Sequence, residues 1–396
     1  RAHTALRIAP KYEGPVLHVL DASRAVGVAS ALVSDGEQRQ ELIDRTANDY
    51  RALRESREGR GGSDLSSLAE ARANRFDGDA AGPAPTPLQP GLHSFDDWPL
   101  EDLRRVIDWT PFFRAWELAG NFPAILDDPV VGKEARSLFI DAEQMLDRII
   151  EEKWLTARAV AGLWRARRDG DDVWVQPSPF VSSEVETRPS TTLGTNGEEP
   201  VRLPFLRQQV KKREGRANMC LADFVAEQDD WIGGFAVAIH GIEPHLERFK
   251  ADHNDYSDIL LKALADRLAE AFAERLHQHV RTQLWGYAPD ENLSNEELIK
   301  ERYRGIRPAP GYPACPDHSL KPLLLQLLGG EAAGVRLTES FAMLPASAVS
   351  GFYFAHPESA YFGVARIGQD QLEDYAERRG VDVETAARWL RPNLDL

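Results

Sequence analysis

Between Arg307 and Leu320 the chain reads RPAPGYPACPDHSL, four prolines in fourteen positions. Each proline fixes φ at about −65° and removes a backbone donor, so this run is neither a helix interior nor a central strand. It must be a stiff connection of preset shape. A loop restricted in this way holds its polar groups in place before any partner arrives, which binding sites use and ordinary linkers rarely need.

The rest of the chain must supply a scaffold for that loop, and its 396 residues leave room for about two or three domains, each able to bury a core. A hydrophobic share of 42% and nine tryptophans agree with a globular protein. The net charge of −16 argues against nucleic acid or an anionic membrane surface as a partner. Two cysteines, Cys220 and Cys315, are too few for a disulfide framework and fit a reducing cytoplasm. Apolar runs such as GGFAVAIHG are far too short to span a bilayer. The first residues carry no signal-peptide pattern and begin with Arg1, so the chain is read as a fragment of something longer.

Along the chain, a short apolar strand is expected at Val16 to Leu20, with Asp21 or Ser23 capping a following helix and a charged helix running to about Glu58. A strand and two helices form an incomplete unit, the end of an α/β domain. Gly, Pro, Ser and charge dominate residues 59–92, interrupted by a helical segment from Leu65 to Asn74, and this stretch reads as an interdomain linker. From 93 to 396 strands and helices mix without strict alternation, an α+β pattern. Ser94 reads as the cap of a helix over Leu100 to Ile107 that stops at Thr110-Pro111. Strand signals flank an Arg168-Gly170 turn, the stretch from Pro177 to Pro200 reads as an exposed excursion, and WIGGFAVAIHG is apolar enough on both faces for a central strand. YSDILLKALADRLAEAFAERLHQHV is the strongest helix, with Leu261, Leu264, Leu268, Phe272 and Leu276 as its buried stripe. Asp258, Lys262, Asp266, Glu270 and Glu274 follow one another at intervals of four on the opposite side. Ser294 and Glu297 form a capping-box pattern, and the runs on either side of Pro357-Glu358-Ser359 read as a hairpin.

Several residues carry chemistry. Arg307, at the edge of the stiff loop, is placed to meet a carboxylate bidentate or to form an ordinary ion pair with a surface acid. Asp108 in DWTPFF sets a carboxylate at a helix end beside aromatic rings, which suits an ammonium or sulfonium and equally a plain helix terminus. Asp266, Glu270 and Glu274 are a solvated ridge or, with Glu301, a patch for a cation. Cys315 and His318 lack the second ligand pair that structural zinc requires; a buried thiol beside a capping histidine is the simpler reading, and a Cys-His nucleophile would need a spatial partner. RQQVKKREGR, from Arg207 to Arg216, is a basic patch or a solvated loop. No dinucleotide fingerprint and no P-loop occurs.

RPAPGYPACPDHS resembles the signature of the activation domain of cobalamin-dependent methionine synthase. DWTPFF, VVGKEARSLFIDAEQML, CLADFV, KALADRLAEAFAERLH, LTESFAM and SGFYFAHPESAYFGVARIG resemble the same family in the same order, from about Ser94 to the C-terminus. HTALRIAPKYEGPVLHVLDASRAVGVASAL is similar to the last strand and helix of its cobalamin-binding domain. The resemblance implies a twisted, mainly antiparallel sheet flanked by helices over residues 93–396, preceded by a Rossmann-like remnant over 1–58. It also implies a function: S-adenosylmethionine bound over the cobalt, one electron from a flavodoxin or flavoprotein reductase, and reductive methylation of cob(II)alamin within a cytoplasmic methyltransferase of methionine biosynthesis. The alternative is a module that senses S-adenosylmethionine and docks the flavoprotein without supporting transfer.

Carried over residue by residue, the resemblance gives Asp108 the ligand's cationic amino-acid part and Arg307 its carboxylate. It lines the ligand with Gly311, Tyr312 and Ala314 and completes the pocket with Tyr361 and Phe362. Asp266, Glu270 and Glu301 match positions near the cobalamin-facing surface, and Ala22 matches a cobalamin contact. The cobalamin domain of the same polypeptide is then a partner, and a monomer is expected. The axial-histidine motif D-x-H-x-x-G does not occur in this chain, and zinc belongs only to a homocysteine module that nothing here resembles.

Overall fold

The structure, a computed structural model, describes residues 4–12, 14–19, 22–33, 37–58, 64–177 and 199–394. The excursion expected between Pro177 and Pro200 therefore lies, apart from its ends, outside the described residues. Chain contacts divide the protein into Arg1–Asp64 and Leu65–Leu396.

In the smaller unit, α1 (Ala22–Val33) and α2 (Glu37–Glu58) form as their periodicity predicts. Ser23 is inside α1, so it is no cap, and Asp21 lies outside the described residues. The expected strand does not form over residues 15–19, and Leu20 is not described. An extended apolar segment without a paired neighbour leaves its backbone groups unsatisfied, and here the His18 N–H turns instead to the hydroxyl of buried Tyr50, at 3.1 Å.

The larger unit begins inside the stretch that reads as linker. Leu65 is buried, and α3 (Leu68–Ala73) opens with a capping box between Ser67 and Glu70. Arg72 of α3 reaches Asp171 at 2.8 Å and Asp374 at 2.8 Å. Glycine and proline mark irregular backbone in residues 65–92, and irregular backbone packs as well as any other when it carries apolar anchors. Ser94 belongs to β1 (Gly91–Phe95), so it caps nothing. Next come α4 (Leu100–Arg104), α5 (Thr110–Ala115) and α6 (Gly132–Glu151). Pro111 sits in the first turn of α5, where its missing N–H has no partner to lose; it starts a helix instead of ending one.

The sheet is assembled from β1, β2 (Thr156–Asp169), β3 (Asp172–Gln176), β4 (Val201–Pro204), β5 (Asp230–His240) and, later in the chain, a strand at Ala348–Tyr353. Every pairing is antiparallel, and β5 lies between β2 and the Ala348–Tyr353 strand. Side chains alternate strictly between two cores. Ala157, Ala159, Ala161 and Leu163 of β2 join Phe235, Val237 and Ile239 of β5 on one face. Val160, Trp164, Ile232, Ala236 and Ala238 face the other. Burial on both faces is why β5 reads as a continuous apolar run.

The first face is covered by α7 (Glu243–Ala251) and by α8 (Asp255–His279), whose predicted leucine stripe is buried. After α9 (Asn295–Ile299) and the proline-rich loop, α10 (Lys321–Leu327) packs on the second face. Two short strands, β6 (Arg336–Leu337) and β7 (Met343–Leu344), pair with each other before the sheet strand Ala348–Tyr353, now β8. The hairpin expected at 350–368 is absent. Phe354, just past β8, bridges to Ile306 before the proline loop, and 357–366 is irregular. The chain closes with α11 (Gln369–Arg379) and α12 (Val383–Trp389) around a third core of Leu206, Val364, Ile367 and Tyr375.

One buried cation ties these layers together. Arg207, only 1% exposed, pairs with Asp223 at 2.7 Å and with Asp171 at 2.6 Å, and donates to the Asn218 carbonyl at 2.7 Å. It is thus withdrawn from the basic patch that its sequence neighbourhood suggests. Replacing Arg207 with Ala leaves buried Asp223 without an ion-pair partner and Asp171 with Arg72 alone, and is expected to cost about 3–5 kcal/mol in urea unfolding. A loss below about 1 kcal/mol would mean that the acids find other partners.

Candidate ligand-binding site

The proline loop is pinned at both ends. Ile306 and Phe354 exchange backbone hydrogen bonds at 3.0 Å, the Phe352 N–H donates to the Pro308 carbonyl at 2.9 Å, and the Val364 N–H donates to that of Pro313 at 2.8 Å. Inside the loop the Gly311 N–H donates to the Cys315 carbonyl at 2.7 Å. Gly311 has φ +101°, and a Cβ there would stand 2.1 Å from the His318 ring, so only glycine fits without displacement. His318 Nδ1 faces Lys321 Nζ at 3.0 Å. Burial first, and Asp317 beside it, push the Cys315 thiol well up, which keeps it protonated and removes the nucleophile reading. Among the described residues no group of three or more His, Cys, Asp or Glu is arranged to hold a metal.

The loop forms one wall of a cavity of about 530 Å³. Arg307, Pro308, Ala309, Tyr312, Pro313 and Ala314 line it from the loop. Phe235 of β5 and Val349 of β8 line it from the sheet, Glu270 from α8, Glu301 from the segment after α9, and Tyr361, Phe362 and Gly363 from the stretch after β8. The expected ligand residues Arg307, Tyr312, Ala314, Tyr361 and Phe362 thus share one cavity. Gly311 shapes the loop without lining it, and Asp108 is not among the lining residues. The Asp108 carboxylate accepts from the Thr110 N–H at 2.9 Å at the start of α5, while the neighbouring Ile107 carbonyl accepts from Asn295 of α9.

The acids expected on a cobalamin-facing surface separate. Glu270 and Glu301 line the cavity, whereas exposed Asp266 accepts from the Ser347 hydroxyl at 2.7 Å and stays outside it. Ala22 opens α1 in the smaller unit. Burial raises the pKa of Glu301, Arg307 opposes the shift, and Glu274 adds to it.

Glu274, read as part of a solvated ridge, is instead 7% exposed and pairs with Arg307 Nη2 at 2.8 Å. Arg307 Nη1 also donates to the Tyr303 hydroxyl and faces Nδ1 of His277 at 3.4 Å, and the Arg307 backbone N–H donates to the Tyr361 hydroxyl at 3.0 Å. Burial opposes the charge on Arg307, but Glu274 and Tyr303 outweigh it and hold the guanidinium firmly protonated. His277 is fully buried, stacks on Tyr353 at 4.9 Å and meets Tyr303 edge-on at 5.2 Å. Burial, Arg281 and Arg307 push its pKa well below 6.5, so the ring is neutral and Nδ1 is free to accept. Behind it Arg281 is held bidentate by Glu291 at 2.8 and 2.7 Å, its guanidinium carbon 3.9 Å from the Tyr303 ring centre.

A sequence model of the family described as vitamin B12 dependent methionine synthase, activation domain, matches residues 99–380. The chain belongs to this family. A solved structure described as the MetH reactivation domain bound to AdoHcy matches this activation domain with a TM-score of 0.75 at 48% identity, over 84% of this chain and 99% of that one. The mixed α+β architecture with its antiparallel sheet and flanking helices is that of the activation domain.

Of the residues around the cavity of this activation domain, His277 and Tyr303 escaped the sequence reading, and Glu274 entered it only as a member of the acidic row. One usable signal was a histidine on the apolar face of a helix, one turn beyond an acid. Because His277 is held neutral in the fold but titrates at about 6.5 when unfolded, the unfolded chain binds the extra proton below that pH. Folding stability is therefore expected to fall as pH drops from 6.5 towards 5, more steeply than in His277→Gln by up to about 1.4 kcal/mol per pH unit. Parallel urea titrations at several pH values with equal slopes for parent and variant would refute the neutral assignment.

Proposed function

We propose that the activation domain binds S-adenosylmethionine in the cavity beside Arg307 and supports transfer of its methyl group to reduced cobalamin. The observation that carries this reading is one guanidinium and two carboxylates, Arg307 with Glu270 and Glu301, on the wall of a single cavity of about 530 Å³. The ligand is a zwitterion with an added sulfonium, so it offers one negative and two positive charges to match. A 48% identical domain solved with AdoHcy, the demethylated form of that ligand, supports the same choice.

Arg307 takes the ligand carboxylate; Glu270 and Glu301 face its positive charge. Tyr361 and Phe362 close the pocket, while Tyr312 and Ala314 line it from the stiff loop. A role for Asp108 at the amino group rests on the DWTPFF motif alone. Cobalamin, held by another domain of the longer enzyme, would accept the methyl group once a flavodoxin or flavoprotein reductase had supplied one electron to its cob(II) state. The methyl carbon then leaves sulfur, whose bonding pair stays behind as a neutral thioether, so no protein acid or base is needed. The chain's work is to hold the sulfonium and exclude other nucleophiles. Action as a monomer in the cytoplasm completes the proposal; no helix among the described residues is long and apolar enough to cross a membrane.

Calorimetric titration of S-adenosylmethionine into the protein tests this reading. Arg307→Ala is expected to weaken binding by about 2 kcal/mol or more, the loss of a charged hydrogen-bonded contact. Undiminished binding in the variant would remove Arg307 from the site, and no binding by the folded parent would remove the cavity.

A further inference from the structure

Arg307 carries five N–H donors, and among the described residues the side-chain hydrogen bonds involve Nη1 alone. Nη1 is directed at Tyr303 and His277, and Nη2 forms the ion pair with Glu274. Among the described residues neither Nε nor Nη2 has a hydrogen-bond partner, although Nη2 is ion-paired with Glu274, and these two nitrogens lie side by side along one edge of the guanidinium. That edge is the fork that meets a carboxylate bidentate. The Arg307 side chain is 18% exposed and lines the cavity, so the accessible remainder of an otherwise enclosed group is available there.

The Glu274 side chain has no close polar contact among the described residues besides Arg307. Oε2 forms the ion pair with Arg307; Oε1 has no hydrogen-bond partner and stands 4.0 Å from Arg281, which Glu291 already holds bidentate. A nearly buried carboxylate with a single close ion-pair partner is costly unless that partner needs it. Glu274 does not line the cavity, whereas Glu270, one turn earlier on α8, does. The two acids therefore divide the work, one towards the ligand and one towards the arginine.

We propose that Glu274 is a positioning residue for carboxylate recognition, fixing the Arg307 guanidinium from behind so that its Nε/Nη2 edge faces the cavity. This rests on the ligand reading given above. Glu274 acts through Arg307 and never touches the ligand, so its removal must hurt a ligand that has a carboxylate and spare one that lacks it.

The test is calorimetric titration of AdoHcy and of its decarboxylated analogue, S-adenosyl-3-thiopropylamine, into the parent, Glu274→Gln and Glu274→Ala. The two ligands share adenosine, thioether and amine and differ only in the carboxylate. The parent is expected to prefer AdoHcy, and Glu274→Ala to weaken AdoHcy about tenfold or more while changing the analogue less than about twofold. Glu274→Gln keeps an acceptor of the same shape, so it should recover part of the preference; it also reads the same ratio if the alanine variant fails to fold. Equal weakening of both ligands would assign Glu274 a merely structural role, and an unchanged preference in both variants would also overturn the inference. A parent that binds both ligands equally contradicts the carboxylate clamp, and a folded parent that binds neither contradicts the ligand reading on which the inference stands.

Discussion

A guanidinium that loses most of its water on folding has to be given partners, and Arg307 receives them from α8 and from the segment that follows α9. The ion pair with Glu274 offsets the desolvation that burial imposes, while Tyr303 and neutral His277 occupy the donors that the acid leaves. Neutrality of His277 is itself a product of the same cluster, since Arg281 and Arg307 both disfavour a third positive charge. The site therefore rests on a charge arrangement that holds together only when all its members are in place. Remove the acid, and a cation remains in a nearly dry wall with nothing to direct it.

Everything else in the larger unit serves to bring that cluster to the mouth of the proline loop. The antiparallel sheet supplies Phe235 and Val349 as an apolar floor, and α8 lies across its face with one acid turned to the cavity and the next turned inward. The loop's stiffness is local, but its position is not. Its carbonyls at Pro308 and Pro313 accept from Phe352 and Val364, so the last strand of the sheet and the stretch after it fix where the prolines point. This is the use of a run with four prolines: a wall that needs little further ordering when a ligand arrives.

The sheet was legible where burial on two faces left a visible signature, as in β5, and the helices where an apolar stripe recurred, as in α8. Long-range pairing was not. Nothing local in SGFYFAHPESAYFGV says that Phe354 will pair with Ile306 rather than fold back on its own chain, and no composition rule distinguishes a Gly/Pro-rich linker from the packed segment that begins at Leu65. At the site, the loop and Arg307 stood out because stiffness and charge are local properties. Glu274 was hidden by its spacing. Residues four apart on an α-helix advance about 40° beyond a full turn at each step, so the row from Asp258 to Glu274 winds about 160° around the axis. It starts near solvent and ends in the core, with Asp266 and Glu270 exposed and Glu274 buried. Reading that row as one face was the error, and the correction follows from helix geometry.

The central claim is that Arg307, steadied by Glu274, is the carboxylate clamp of this cavity. A crystal structure of the protein grown with AdoHcy tests it most directly. The account predicts both carboxylate oxygens of the ligand within hydrogen-bond distance of Arg307 Nε and Nη2, with the Glu274 ion pair kept at its present 2.8 Å. A ligand seated away from Arg307, or one whose carboxylate displaces Glu274 from the guanidinium, would contradict it.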